Sequence, residues 1–162
     1  MATGVEIERK FLVDAVPEDI PWDAQERLRQ GYLALDGDTE VRVRRADAGS
    51  RLTIKHGSGM RRVEEELELE ERQADTLWGL TEGRRLEKRR LRTGIDGGVL
   101  ELDIYEGDLA GLVVAEIEFA SQDAANAFRP PAWLGRDVTH DAAYKNRVLA
   151  CDGAPTQEGT HP

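Results

Sequence analysis

Most of the chain alternates between apolar and polar residues, which is the two-residue period of strands that have one buried face. Glycine, aspartate and serine lie between the alternating segments, as expected for hairpin turns. Eight short strands with few helices favour an antiparallel barrel or a strongly curved sheet, and so a mainly β (α+β) fold. The predicted strands are residues 5–13, 28–35, 40–46, 51–56, 62–70, 85–92, 99–105 and 112–119.

Three helical segments are predicted beside the strands. Residues 72–81 place apolar side chains at helical spacing. A second helix is expected over residues 121–128, where the Ser121 hydroxyl can accept a hydrogen bond from a free amide of the first turn. Thr139 is a similar candidate cap for a last helix over residues 140–150. These helices would cover the apolar outer faces of the strands.

The composition fits one domain and argues against several classes of protein. The chain has 162 residues, with 22 Lys and Arg against 32 Asp and Glu, and a net charge of −10. This acidity argues against binding to nucleic acid or to an anionic membrane, both of which favour a basic face. The sequence shows no signal peptide and no apolar run of membrane-spanning length. We expect a cytoplasmic domain over residues 1–152 and a disordered tail over residues 153–162.

Charged side chains on the predicted strands are sorted by sign. Like charges at neighbouring positions of one face repel each other, so such blocks cost free energy unless a bound group neutralises them. Divalent cations neutralise carboxylates, a polyanion neutralises arginine and lysine, and a metal-bound polyphosphate does both. The pattern indicates a charged site for a polyphosphate with metals, but it does not distinguish a tunnel from a flat sheet. The acidic blocks are Glu6/Glu8, Glu64/Glu66/Glu68/Glu70, Glu101/Asp103 and Glu116/Glu118, and the basic blocks are Arg42/Arg44 and Lys88/Arg90/Arg92.

Several short charged motifs together span nearly all of residues 4–150. In order, they are Glu6-Ile7-Glu8-Arg9-Lys10, Arg42-Val43-Arg44, Thr53-Ile54-Lys55, Arg62-Val63-Glu64-Glu65-Glu66, Lys88-Arg89-Arg90, Glu101-Leu102-Asp103, Glu116-Ile117-Glu118 and Tyr144-Lys145-Asn146. In type and order this set resembles the CYTH superfamily, the triphosphate tunnel metalloenzymes. The chain is similar to the short bacterial members, several of which are inorganic triphosphatases.

The resemblance implies an eight-stranded antiparallel barrel that closes into a polar tunnel, with a C-terminal plug helix at one mouth. It also implies one or two Mg²⁺ or Mn²⁺ ions, which prefer hard oxygen ligands such as carboxylates. Glu6, Glu8 and Glu118 would be the main metal ligands. The carboxylates that would bind a second metal or hold the attacking water are Glu64, Glu66, Asp103 and Glu116.

The same resemblance implies a row of basic side chains that bind the phosphates, because arginine offers a planar fork and lysine a compact charge to phosphate oxygens. These residues are Lys10, Arg42, Arg44, Lys55, Arg62, Lys88 and Arg90, with Lys145 on the plug helix. The residues expected to act in catalysis are Glu6, Glu8, Lys10, Asp103, Glu116 and Glu118.

The expected activity is metal-dependent hydrolysis of inorganic triphosphate to pyrophosphate and orthophosphate, by a monomer or a homodimer. A nucleoside or thiamine triphosphatase and a CYTH-type adenylate cyclase are alternatives on the same site. A non-catalytic polyphosphate-binding module is a third, which the presence of both the acidic and the basic positions disfavours. The sequence shows no obvious aromatic or amide pocket for a base, which favours the inorganic substrate.

Overall fold

A computed structural model describes residues 6–57 and 63–156 of the chain. Eight strands form one sheet in the order β1-β8-β7-β6-β2-β3-β4-β5, and every neighbouring pair is antiparallel. The prediction of a mainly β, eight-stranded antiparallel fold is confirmed. The strands are β1 Ile7–Leu12, β2 Ala24–Asp36, β3 Thr39–Ala46, β4 Gly49–His56, β5 Val63–Leu69, β6 Arg85–Ile95, β7 Gly98–Glu106 and β8 Val113–Phe119.

The helices are short and lie between or after the strands. The α-helices are α1 Glu71–Trp78, α2 Gln122–Ala127 and α3 Asn146–Asp152, and the 3₁₀ turns are Gly79–Thr81, Gly107–Leu109 and Ala142–Tyr144. Ser121 caps α2 as predicted, because its hydroxyl accepts a hydrogen bond from the Ala124 amide at 3.0 Å. No helix in the described part of the chain is long and apolar enough to cross a membrane.

The strand register places the charged positions on one face of the sheet, here called the charged face. Arg90 lies opposite Asp103, and Lys55 lies opposite Glu64. Directly opposite side chains of an antiparallel pair point to the same side. Arg44 of β3 also lies within electrostatic range of Arg90 and Asp103, although their strands are not neighbours of β3. The sheet must therefore curve around the charged face.

The opposite face of the sheet carries the apolar residues and packs against the helices. Leu102 and Ile117 are almost fully buried there, and Phe128 packs on the same cluster edge-on to Phe119. Trp78 of α1 is also buried, at 8% exposure. Helices α1 and α2 and the segment after α2 thus cover the apolar face, as the sequence pattern predicts. Helix α3 instead packs against Tyr32, Tyr105 and Val114 on the charged face.

The edge of β1 is covered by the segment Gly135–Thr139, here called the strap. The Leu12 amide donates to the Arg136 carbonyl at 2.9 Å, and the Val138 amide donates to the Lys10 carbonyl at 2.8 Å. The Lys10 amide donates to the Thr139 hydroxyl at 3.0 Å. These backbone groups of β1 are the ones that would otherwise be free to pair with β5.

The strap gives a physical reason for a difference from the predicted closed barrel. Among residues 6–57 and 63–156, β1 and β5 form no ladder, so the sheet ends at these two strands instead of closing. Half of the β1 edge is already hydrogen-bonded to the strap, and a strand edge can satisfy only one partner at a time. The result is a curved, open barrel.

The end of the chain also differs from the single helix predicted over residues 140–150. It forms the 3₁₀ turn Ala142–Tyr144, capped by the Asp141 side chain, and then α3. Thr139 is not the cap, because its hydroxyl is used by the Lys10 amide. The break in the helix leaves Lys145 exposed between the two helical segments.

We predict that Gly135→Ala destabilises the protein, because a Cβ at this position would lie 2.8 Å from the Leu12 carbonyl oxygen. Overpacking of this kind costs about 1–3 kcal/mol. For a chain of this size, each kcal/mol corresponds to roughly 2–4 °C in Tm. Gly94→Ala is the control, since nothing lies within 4 Å of its Cβ position. Equal thermal denaturation curves for the two variants would show that the strap does not press against β1.

Candidate active site

Asp103 of β7 lies at the centre of the charged face and is 3% exposed. One of its oxygens accepts from Lys88 Nζ at 2.8 Å and from Arg90 Nη2 at 3.0 Å. The other accepts from Arg90 Nε at 2.8 Å. Burial alone would raise the pKa of Asp103, but the two cations hold it well below its usual range. Asp103 is thus an ionised carboxylate with both oxygens already bound to cations.

Lys88 is fully buried and has three neighbours that fix its ammonium group. Besides Asp103, Lys88 Nζ is 3.4 Å from Asn146 Oδ1 and 5.4 Å from the centre of the Tyr105 ring. Burial lowers the pKa of Lys88 to about 7, and the attraction of Asp103 only partly offsets this effect. An anion that binds beside Lys88 would therefore stabilise the protonated form of this lysine and raise its pKa.

Arg42 and Arg44 of β3 add two more cations to the same face. Arg44 Nε donates to Gln30 Oε1 at 2.7 Å, which is a neutral partner and leaves the charge uncompensated. Burial and the repulsion of Arg42 and Arg90 lower the pKa of Arg44 to about 10. Arg42 is 5% exposed. Such crowding of buried cations favours the binding of an anion.

Three buried polar atoms near these arginines have no hydrogen-bond partner in the described part of the chain. They are Gln30 Nε2, Tyr32 Oη and Arg42 Nε. Buried polar groups are normally hydrogen-bonded, and exceptions indicate a missing ligand or water. Because two of the three atoms can act only as donors, the missing partner is expected to be an acceptor.

A group of carboxylates lies on the neighbouring strands β1 and β8. Burial, together with Glu116 and Glu6, raises the pKa of Glu8 to about 10. The pKa of Glu116 is lowered in spite of its burial, because Glu8 donates a hydrogen bond to it and Lys10 lies nearby. Burial and the charges of Glu6 and other carboxylates raise the pKa of Glu118. Glu8 therefore keeps a proton at neutral pH that it shares with Glu116.

The carboxylates are not gathered into a ready-made metal site. Within residues 6–57 and 63–156, no three His, Cys, Asp or Glu side chains are arranged so that they could hold one ion. The Glu8–Glu116 pair nevertheless fits a divalent cation chemically, because carboxylates are hard oxygen donors. A bound cation could replace the proton that now reduces the repulsion between the two carboxylates.

The predicted site residues fall into three groups. Register places Glu8, Lys10, Arg42, Arg44, Lys55, Glu64, Glu66, Lys88, Arg90, Asp103, Glu116 and Glu118 on the charged face, with Glu6 directly before β1. Arg62 lies outside the described residues. Lys145 is exposed and makes no polar contact to the site among the described residues, so the prediction that this lysine reaches the tunnel finds no support in the geometry.

Three predicted metal or water ligands have a cation as a direct partner. Asp103 is bound to Lys88 and Arg90, as described above. Glu64 Oε2 lies 4.0 Å from Lys55 Nζ, and Glu66 pairs with Arg51 at 3.0 Å. Residue type cannot reveal this difference, because a carboxylate suits a metal and a guanidinium equally well.

Asn146 is the site residue that the sequence motifs did not single out. Its Oδ1 accepts from Tyr105 Oη at 2.6 Å, in addition to its contact with Lys88. Lys10 Nζ is anchored nearby and donates to the Tyr144 carbonyl at 3.2 Å. The C-terminal segment thus closes one end of the charged face, through Asn146 and not through Lys145. The only signal in the sequence is that Asn146 follows Lys145 in the last motif.

Comparison with known proteins agrees with this geometry. The chain matches the CYTH domain over residues 4–139. It belongs to the CYTH family. An inorganic triphosphatase of Nitrosomonas europaea is 44% identical to this CYTH protein over 151 residues, covering 90% of this chain and 96% of the relative. An inorganic triphosphatase of Acetivibrio thermocellus is 38% identical over 154 residues, covering 90% and 93%.

A solved structure supports the same conclusion about the fold. The crystal structure of the inorganic triphosphatase NE1496 superimposes on this CYTH protein with a TM-score of 0.75 at 42% identity. The match covers 96% of this chain and 99% of that structure. The resemblance inferred from the ordered charged motifs is therefore confirmed.

We predict that Glu8→Gln stabilises the metal-free protein increasingly as the pH rises. The folded chain keeps the Glu8 proton up to a pKa of about 10, whereas the unfolded chain loses it near 4.5. Wild-type stability is therefore lost as the pH rises between these values, and glutamine removes that loss. A gain of about 1–2 kcal/mol would raise Tm by roughly 2–8 °C. Melting in EDTA at several pH values, with Glu65→Gln as the control, measures this effect.

A Glu8→Gln variant that melts below the wild type over the whole pH range would contradict the prediction. That result would mean that the Glu8 carboxylate is ionised in the folded state and stabilises β1.

Proposed function

We propose that this CYTH protein is a divalent-metal-dependent inorganic triphosphatase that releases pyrophosphate and orthophosphate. The observation that carries the proposal is the placement of buried cations beside a carboxylate pair that shares a proton, on one curved face. Such a face favours the binding of an anion beside the buried cations and of a cation beside the carboxylates, and a metal-bound linear triphosphate provides both. The relatives from Nitrosomonas europaea and Acetivibrio thermocellus are both inorganic triphosphatases, which supports the choice of substrate.

The carboxylates of β1 and β8 are the proposed metal ligands, with Glu6, Glu8 and Glu118 as the principal set. Mg²⁺ or Mn²⁺ bound there would neutralise charge that develops on the phosphate oxygens. The raised pKa values of Glu8 and Glu118 support this assignment, since burial and the neighbouring carboxylates both oppose their ionisation and a bound cation would offset this effect. Metal binding would then release the proton that Glu8 holds.

The basic side chains position the triphosphate. Arg42, Arg44 and Lys55 would grip it from β3 and β4, and Lys88 and Arg90 from β6, with Lys10 on β1. Asp103 keeps Lys88 and Arg90 in place through the hydrogen bonds described above. These donors are already in position, so no free energy is spent on reorienting them when charge shifts on the phosphate oxygens in the transition state. Much of the rate acceleration in phosphoryl transfer originates from such preorganised donors.

Glu116 is the proposed holder of the attacking water. Its lowered pKa keeps it ionised, so that it can accept a hydrogen bond from the water and later its proton. The water oxygen forms a bond to a terminal phosphorus while the bridging P–O bond on the far side breaks. The electron pair of that bond leaves with pyrophosphate, whose charge the neighbouring lysines and arginines stabilise.

An inorganic substrate fits the surroundings of the site better than a nucleotide does. The cavity that opens beside Arg44 has a volume of about 420 Å³, and no aromatic side chain, Asn or Gln is among the described residues that line it. A base is normally recognised by stacking and by amide hydrogen bonds, and neither is offered there. This observation disfavours a nucleoside triphosphatase or an adenylate cyclase.

Phosphate release from a panel of substrates tests the proposal. Triphosphate, ATP, thiamine triphosphate and pyrophosphate are compared in Mg²⁺, in Mn²⁺ and in EDTA. We expect triphosphate to have the highest kcat/KM and EDTA to abolish turnover. Greater turnover of ATP than of triphosphate would contradict the substrate, and turnover that EDTA leaves unchanged would contradict the metal requirement.

We predict that Lys88→Met lowers kcat/KM for triphosphate by roughly 100-fold, the usual effect of losing one preorganised charge donor. Methionine keeps the length of the side chain, and Arg90 still pairs with Asp103, so the fold is expected to persist. Arg27→Met is the matched control, because Arg27 lies on the other face of the sheet in an exposed ion pair with Glu106. Equal kinetics of Lys88→Met and the control would remove Lys88 from the site.

A further inference from the structure

The cavity of about 420 Å³ lies between β2, β3, β4 and β5 and is continuous with the charged face through Arg44. It adjoins the turn between β3 and β4, since Ala48 and Gly49 line it. The C-terminal segment lies at the other end of the sheet, where Arg147 donates to the Gly37 carbonyl in the turn between β2 and β3. The cavity and the C-terminal segment therefore occupy opposite ends of the same face.

The end at the C-terminal segment offers no room for a longer substrate. Asn146 fills the space beside Lys88 and Tyr105 and is hydrogen-bonded to both. Lys10 Nζ is held against the Tyr144 carbonyl. A phosphate chain that occupies the cations of this face is therefore blocked at this end, whereas the cavity at the other end offers room.

The cavity carries two carboxylates that no cation neutralises. Glu26 and Glu68 line it, and neither takes part in an ion pair among the described residues. Arg51 lines the cavity together with Arg44 and lies opposite Glu68, and Arg90 lies opposite Glu26. Arg90 is bound to Asp103 and Glu101, and Arg51 is bound to Glu66. A phosphate in the cavity would thus meet uncompensated negative charge beyond Arg44.

We propose that Glu26 and Glu68 determine the length of the substrate by repelling a fourth phosphate. This inference rests on the proposed triphosphatase function and adds to it a reason for selecting triphosphate over longer linear polyphosphates. Three phosphates lie along the cations of the charged face as far as Arg44. The next phosphate of a longer chain lies between the two carboxylates, where like charges at short range oppose binding.

The test compares linear triphosphate and tetraphosphate as substrates of the full-length protein in Mg²⁺. We expect the wild type to prefer triphosphate in kcat/KM. In the double variant Glu26→Gln, Glu68→Gln, the ratio of tetraphosphate to triphosphate kcat/KM should rise by roughly tenfold, because two like-charge contacts are removed. Glu65→Gln is the matched control, since Glu65 lies on the same strand as Glu68 but on its other face.

The outcomes separate this inference from the function on which it rests. A wild type that cleaves triphosphate, with an unchanged ratio in the double variant, would overturn the role of the two carboxylates and leave the triphosphatase proposal standing. An equal rise of the ratio in Glu65→Gln would show a general effect of net charge and would also overturn it. A wild type that does not cleave triphosphate would contradict both proposals.

Discussion

Burial of like charges side by side is unfavourable in a folded protein, and this chain contains two such groups on one face of its sheet. Lys88, Arg90 and Arg44 lie close together around Asp103, their central counter-ion, and Arg90 also pairs with Glu101. On the adjoining strands, Glu8 and Glu116 lie side by side, and burial together with Glu116 raises the pKa of Glu8 to about 10. Glu116 lies within electrostatic range of Arg90, but no ion pair joins the two groups in the described part of the chain. A bound group that carries both signs removes both penalties, and most features of the site follow from this requirement.

The rest of the fold buries these charged side chains and fixes their positions. The apolar residues are placed on the outer face and covered by α2 and the segment after it. Asp103 acts as a fixed central anchor, and the strap holds the backbone of Lys10 from outside the sheet. Because the strap occupies the edge of β1, the sheet stays open between β1 and β5 in the described part of the chain. The site is therefore held by hydrogen bonds at its margins instead of by a closed ring of strands.

The two-residue period predicted the strands and the face on which each charged residue lies, because both depend only on local alternation. The two-residue period could not predict the curvature of the sheet, since a flat and a curved sheet have the same period. The strap could not be predicted because it pairs through backbone atoms, which every residue has. The partner of Asp103 depends on the register between β6 and β7, which the two-residue turn Asp96-Gly97 sets. Because the helix predicted over residues 140–150 is interrupted before α3, Asn146 contacts the site and Lys145 does not.

A crystal structure with Mn²⁺ and a slowly hydrolysed triphosphate analogue would test the central claim most directly, because anomalous scattering locates the metal independently of the phosphates. The account predicts a manganese peak against the carboxylates of Glu6, Glu8 and Glu118, with the phosphate chain along Arg42, Arg44, Lys88 and Arg90. Manganese and phosphate bound on the outer face, or a charged face that stays without ligand at saturating concentrations, would contradict it.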